Sequence, residues 1–136
     1  ILLEEEIDHH QVIYFDKKKV KLDEFTVYYR FDTVQLNSDA KIKMQRFSDL
    51  IRGQPFKVEV HSYTDKRGST DYNKKLSRQR TENVISYLIS TGLRQEDLIG
   101  NYYGELNPVV DCETKRCTNS DHALNRRTVV KLIKIE

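Results

Sequence analysis

From residue 25 onward the apolar positions of the chain switch between two periods, one close to 2 and one close to 3.6. Phe25-Thr26-Val27-Tyr28-Tyr29-Arg30-Phe31 is β-branched and aromatic, which predicts a strand ended by Asp32. Ser38 can cap a helix running to about Arg52, in which Ile42, Phe47, Leu50 and Ile51 recur at helical spacing. Gly53 stops that run and Pro55 cannot continue it. Phe56 to His61 alternates apolar and polar, a second strand. From about Thr70 to Ser90, Leu76, Val84, Ile85, Leu88 and Ile89 make one stripe, with Arg80 on the same side and Gly92 just past the end. Leu98 to Tyr103 reads as a weaker strand, residues 104–108 as a turn, and Arg127 to Ile135 as the last strand. The order β-α-β-α-β-β predicts an α/β fold, a mixed sheet with helices packed on one face.

Residues 1–24 fit this rhythm poorly and are read as a lead-in or linker with one possible edge strand at Val12 to Phe15, leaving 25–136 as the domain. His9 and His10 have no Cys or clustered carboxylate at ligand spacing, so they read as surface residues. A length of 136 residues suits one domain with a real core. Charged residues are 32% and apolar ones 38%, and no apolar run approaches the length of a membrane span. The first residue is Ile1 rather than Met, so the chain is expected to be a fragment whose targeting sequence and membrane attachment lie upstream.

The net charge is +2, with Lys and Arg mixed among Asp and Glu. No long basic stripe exists to track a phosphate backbone, which argues against nucleic acid as a partner. Lys17-Lys18-Lys19 is most simply a solvated strand edge or turn. Nothing in the sequence calls for a cofactor. Cys112 and Cys117 lie in a stretch rich in Asp, Thr, Asn and Ser, a loop. They can close a small disulfide worth about 2 kcal/mol, remain as two thiols, or offer zinc two ligands beside His122, short of the usual four. A disulfide would favour an oxidising compartment such as the periplasm.

The chemistry concentrates in Thr64-Asp65-x-x-Gly68-Ser69-x-x-x-Asn73-x-x-Leu76-Ser77-x-x-Arg80. Asp65 sits where a strand gives way to a loop, and Arg80 about three turns into the following helix. Because that helix doubles back beside the loop, the two charges can line one groove. A ligand with an ammonium and a carboxylate on one carbon would match them, Asp65 taking the ammonium and Arg80 the carboxylate through two parallel hydrogen bonds. Asn73 and Thr64 could add neutral donors and acceptors. Each residue also has a plainer reading: Asp65 as a loop residue bonding its own backbone, Arg80 as an aliphatic stem laid over the core, Arg126-Arg127 as a strand pin and Asn125 as a turn stabiliser.

These residues resemble the OmpA-like peptidoglycan-binding domain family, which includes peptidoglycan-associated lipoproteins and the stator-anchoring proteins of flagellar motors. The pattern is carried by Phe31-Asp32, Thr64-Asp65 with Gly68, Asn73 to Arg80 and Asn125-Arg126-Arg127, over roughly residues 25–135. The family usually has Gly-His before Thr-Asp, where this chain has Ser62-Tyr63. The resemblance implies an OmpA-like fold and non-enzymatic, non-covalent binding of the peptidoglycan stem peptide through its diaminopimelate. It maps the ligand contacts to Asp32, Thr64, Asp65, Asn73, Leu76, Arg80 and Arg127. It also implies a periplasmic domain of an outer-membrane or other envelope protein of a Gram-negative bacterium. Two rivals are a wall hydrolase using Asp65 or Glu59 with His61, and a periplasmic protein-docking module without wall binding. No nucleophile, catalytic carboxylate pair or metal set supports the first.

Overall fold

The computed structural model describes the backbone of residues 3–8, 11–16, 19–20 and 24–134, and side chains over 24–133. The readings of Ile1, His9, His10, Lys17, Lys18, Lys21 and Ile135 lie outside the described residues. Strands β1 (Leu3–Asp8), β2 (Gln11–Asp16) and β3 (Lys19–Val20) form an antiparallel sheet in that order. The other strands and α-helices are β4 (Glu24–Tyr28), α1 (Ser38–Ile51), β5 (Phe56–Tyr63), α2 (Thr70–Ser90), β6 (Leu98–Tyr102), α3 (Asn119–Asn125) and β7 (Arg127–Lys134), with one 3-10 turn at Gln95–Asp97. The second sheet is mixed, in the order β4-β7-β5-β6. Only β5 and β6 pair in parallel, and α2 supplies the long crossover such a pair requires.

The last strand is inserted between β4 and β5. Arg127 pairs with both Tyr28 and Tyr63, so the end of β4, the end of β5 and the start of β7 meet at one edge of the sheet. Phe25, Val27, Val58, Val60, Val130 and Leu132 point to one face, where Met44, Phe47 and Ile51 of α1 and Val84 and Leu88 of α2 cover them. Burying each such side chain contributes roughly 1.5–3 kcal/mol. Gly100 faces α2 from β6, where a Cβ would lie 2.9 Å from Ile85 and from Thr81, so the close approach of helix and strand depends on it.

Several element boundaries differ from the sequence reading. The first strand of the mixed sheet stops at Tyr28, because the chain turns at Arg30, whose carbonyl accepts from Thr33 N at 3.3 Å. Phe31 is left 55% exposed. The N-cap of α1 is Asn37, whose side chain accepts from Ala40 N at 2.8 Å, so Ser38 is already helical. Its buried stripe runs through Ala40, Met44, Phe47 and Ile51, and Ile42, two residues out of phase, is exposed. Likewise Ile89 of α2 is exposed. The cysteine stretch, read as a loop, ends in a helix, α3, because Thr118 and Asp121 form a reciprocal capping box.

Candidate functional site

The converging strand ends open into a cleft of about 520 Å³ between the β4–α1 turn, the β5–α2 loop and the first turns of α2. On one wall stands Asp32, at φ 59°, a left-handed conformation that a short polar side chain tolerates better than most. Its carboxylate accepts a hydrogen bond from the Tyr72 hydroxyl. On the facing wall Thr64 leaves β5 and is pinned twice: its N–H donates to Gly104 O at 2.7 Å, and its hydroxyl donates to Asp65 O at 2.8 Å. Gly104, at φ 61°, donates in turn to Ser77 Oγ at 2.9 Å, which ties this loop to α2. Ser69 caps α2 through Tyr72 N. Asn73, Leu76 and Arg80 follow at spacings of three and four, so they share one buried face that forms the cleft's floor. Asn73 donates to Glu105 at 3.1 Å.

The charges are held unequally. Asp65 is 3% exposed, yet both carboxylate oxygens are engaged. Oδ1 accepts from Arg67 N at 3.0 Å and Arg67 Nε at 3.3 Å. Oδ2 accepts from Arg67 Nη2 at 2.8 Å and Arg126 Nη1 at 3.2 Å. Burial by itself would raise the pKa of this carboxyl, but the hydrogen bonds from Arg67 and Arg126 outweigh it and hold the group below the ordinary carboxylate range. Arg80 is 0% exposed. Its Nε donates to Thr33 O and its Nη1 to Tyr63 O, both at 2.9 Å, and its guanidinium stacks 4.5 Å from the Tyr29 ring centroid. Burial pushes its pKa down to about 10, so it remains a cation at neutral pH. Its Nη2 is the buried side-chain nitrogen or oxygen, among the described residues, that lacks any hydrogen-bond partner.

Of the residues singled out from the sequence, Asp32, Thr64, Asp65, Asn73, Leu76 and Arg80 all line this cleft. Arg127 does not. Strand alternation turns it to the other face of the sheet, where its guanidinium lies 3.8 Å from the Tyr63 ring centroid and donates to Asn107 O. Arg126, one residue earlier, takes the inward position and reaches Asp65. Counting back in twos from the buried Leu132 and Val130 would have selected Arg126, so that signal was present in the sequence. Arg67, Tyr72 and Phe31 also line the cleft; the stacking of Arg67 4.3 Å from the Phe31 centroid had no sequence signal.

The outer face of the sheet carries the other group of interest. His61 is hydrogen-bonded to Glu59 at 3.0 Å and to Tyr103 at 2.7 Å, and alternation turns both Glu59 and His61 away from the face that α2, whose Asn73, Leu76 and Arg80 floor the cleft, covers. Asn125 accepts from Val109 N and Val110 N and donates to Val110 O, which makes it a turn stabiliser. Cys112 and Cys117 are joined in a disulfide. Among the described residues no group of three or more His, Cys, Asp or Glu side chains is placed to hold a metal ion, and no helix is long and apolar enough to cross a membrane.

The family model described as "OmpA family" matches residues 28–121. Outer membrane protein A of Shimwellia blattae is 44% identical over 52 residues, covering 38% of this chain and 22% of that protein. This chain therefore spans less than a quarter of that relative's length. A peptidoglycan-associated lipoprotein of Buchnera aphidicola subsp. Baizongia pistaciae is 28% identical over 118 residues, covering 85% of this chain and 66% of the relative. In three dimensions, the crystal structure of the peptidoglycan-associated lipoprotein from Burkholderia pseudomallei superposes with a TM-score of 0.72 at 23% identity. That match covers 79% of this chain and 88% of that one, a likeness of fold.

Proposed function

The chain belongs to the OmpA family, and on that premise we propose that its domain binds bacterial cell-wall peptidoglycan non-covalently, gripping the diaminopimelate of the stem peptide. The observation that carries this reading is Arg80 Nη2, a buried cationic N–H without an acceptor in the same cleft as a buried carboxylate. An unsatisfied buried donor costs about 1–3 kcal/mol, and more when charged, so an incoming carboxylate gains most at this atom. The free end of diaminopimelate carries an ammonium and a carboxylate on one carbon. Arg80 would take the carboxylate and Asp65 the ammonium; Thr64, Asn73 and Asp32 offer polar contacts and Leu76 an apolar floor for the methylene chain.

Family membership and the wording of the Buchnera relative's name support the ligand class. The relatives' names support an envelope location, with this domain on the periplasmic side and a membrane attachment elsewhere in the full protein. The role is anchoring rather than turnover. The Glu59, His61 and Tyr103 group lies across the sheet from the cleft and offers no acid–base partner to Asp65.

Titrating the ¹⁵N-labelled domain with a diaminopimelate-containing stem peptide tests the assignment. Amide shifts are expected to cluster on Asp32, Thr64, Asp65, Asn73 and Arg80; no shifts, or shifts confined to the outer face, would refute it. Incubation with purified sacculi is expected to co-sediment the domain and release no soluble muropeptides, and measurable release would make it a hydrolase.

A further inference from the structure

The two charged ends of the cleft differ: Arg80 Nη2 has no acceptor, whereas the Asp65 carboxylate is fully engaged. Two carboxylate oxygens offer about four lone-pair directions. At Asp65 all of them are taken, three by Arg67 and one by Arg126. The Nε and Nη2 of Arg67 address the two oxygens side by side, the paired geometry in which a guanidinium binds a carboxylate most tightly. A ligand ammonium directed at Asp65 therefore meets a cation already in place. Resting on the function proposed above, we infer that Arg67 is a displaceable internal cation: it occupies the ammonium subsite of the free domain and surrenders Asp65 when the ligand arrives.

The two arginines on Asp65 differ in how firmly they are held. Arg126 has a side chain 13% exposed and donates its Nε to Tyr29 O at 2.8 Å, so it is anchored to the end of β4. The Arg67 side chain is 37% exposed and rests on the exposed Phe31 ring, which can hold the cation after Asp65 is released. The Arg67 backbone N–H and Arg126 stay with the carboxylate throughout, keeping it charged and oriented. Charge balance points the same way. The cleft lining carries the cations Arg67, Arg80 and Arg126 against the anions Asp32 and Asp65, and a zwitterion adds no net charge. Withdrawing one guanidinium leaves two of each sign. The carboxylate would dock first, on Arg80, and the ammonium would then exchange with Arg67.

The test uses calorimetric titration of wild type, Arg67→Ala and Arg67→Lys with the tripeptide L-alanyl-γ-D-glutamyl-diaminopimelate and with the same tripeptide acetylated on its distal amine. Removing a partly exposed competitor should tighten binding of the free amine about three- to fivefold. Affinity for the acetylated peptide should be unchanged, and Arg67→Lys should fall between the two. In wild type, the Arg67 Nε–H resonance should move on adding the free-amine peptide and stay in place with the acetylated one. Weaker binding by Arg67→Ala would make Arg67 a ligand contact and overturn the inference, as would equal binding with an unmoved Nε–H signal. Absence of binding by both wild type and Arg67→Ala would instead remove the wall-binding reading, and this inference with it.

Discussion

Two clefts of comparable size open at opposite ends of β5. The one at its start, about 360 Å³, is lined by Ile51, Pro55, Phe56, Leu93 and Leu98 among others. Its charges are partly or fully solvent-exposed and satisfied by neighbours: Arg52 reaches Asp49 and the Thr91 carbonyl, while Arg94 and Lys57 both reach Asp97. The one at the end of β5 encloses a fully buried guanidinium with an open donor and a carboxylate with 3% exposure. Volume does not separate them. The difference is that burying an ion costs several kcal/mol unless its partners are complete, and only the second cleft leaves one incomplete.

The sharpest way to break the comparison is to remove one charge at each end. Asp65→Ala or Arg80→Ala should each weaken binding of a diaminopimelate peptide by roughly 2–4 kcal/mol, at least about 30-fold. Asp97→Ala at the other end should leave the isotherm unaltered. Wild-type affinity in both site variants would show the cleft to be structural. Protons can impose the same loss more gently. The Asp65 pKa is lowered in the folded chain, so its stabilising contribution is complete above its unfolded value of about 4 and disappears as pH falls through the lower folded value. Binding followed by calorimetry should therefore be the same at pH 5 as at pH 7 and fail only in stronger acid. A midpoint near neutrality would place another group in control. The Asp97 pKa is also lowered, through Arg94 and Lys57, but its titration should not register in binding.

Smaller effects bear on stability and should leave the site alone. Reducing the Cys112–Cys117 disulfide removes a loop constraint worth about 2 kcal/mol, visible as a lower melting temperature with unchanged affinity. Gly92→Ala, in the first cleft, forces φ 109° on a residue with a Cβ that would lie 2.8 Å from Arg52 Nε. A cost of about 1–2 kcal/mol is expected in urea unfolding, again with normal binding once folded. Arg94→Ala should have the smallest effect on the urea-unfolding midpoint, close to none, because its ion pairs are exposed and screened. A larger loss would mean that the first cleft carries more than packing.

Much of the fold is local and therefore readable. The alternation in β5 and the stripe of α2 are set by side chains a few residues apart, and both elements appear where their periods place them. Residues separated by one loop are readable too: spacing brings Thr64, Asp65, Asn73 and Arg80 to one groove, and the family resemblance adds Leu76. Asp32 came with them through the resemblance of Phe31-Asp32 to the family pattern. The family pattern names Arg127, but a motif does not say which side of a strand a residue faces; parity does, and the buried Val130 and Leu132 put Arg126 on the cleft side. The capping box of α3 was present as Thr118 and Asp121 but hidden in a stretch whose composition reads as loop.

By itself, then, the chain dictated its two long helices, the strands of its mixed sheet, and a carboxylate and a guanidinium one loop and three helical turns apart. Tertiary structure alone decided who holds them. Insertion of β7 between β4 and β5 delivers Arg126 to Asp65 across 61 residues, and the β4–α1 turn presents Thr33 O to Arg80 across 47. Local rules of backbone and side chain act over a few residues, whereas hydrogen-bond completeness at a buried ion depends on every element that packs around it. That is why the identity of the charges could be read in sequence, and why the open donor on Arg80 and the occupied oxygens of Asp65 appeared only once the chain was folded.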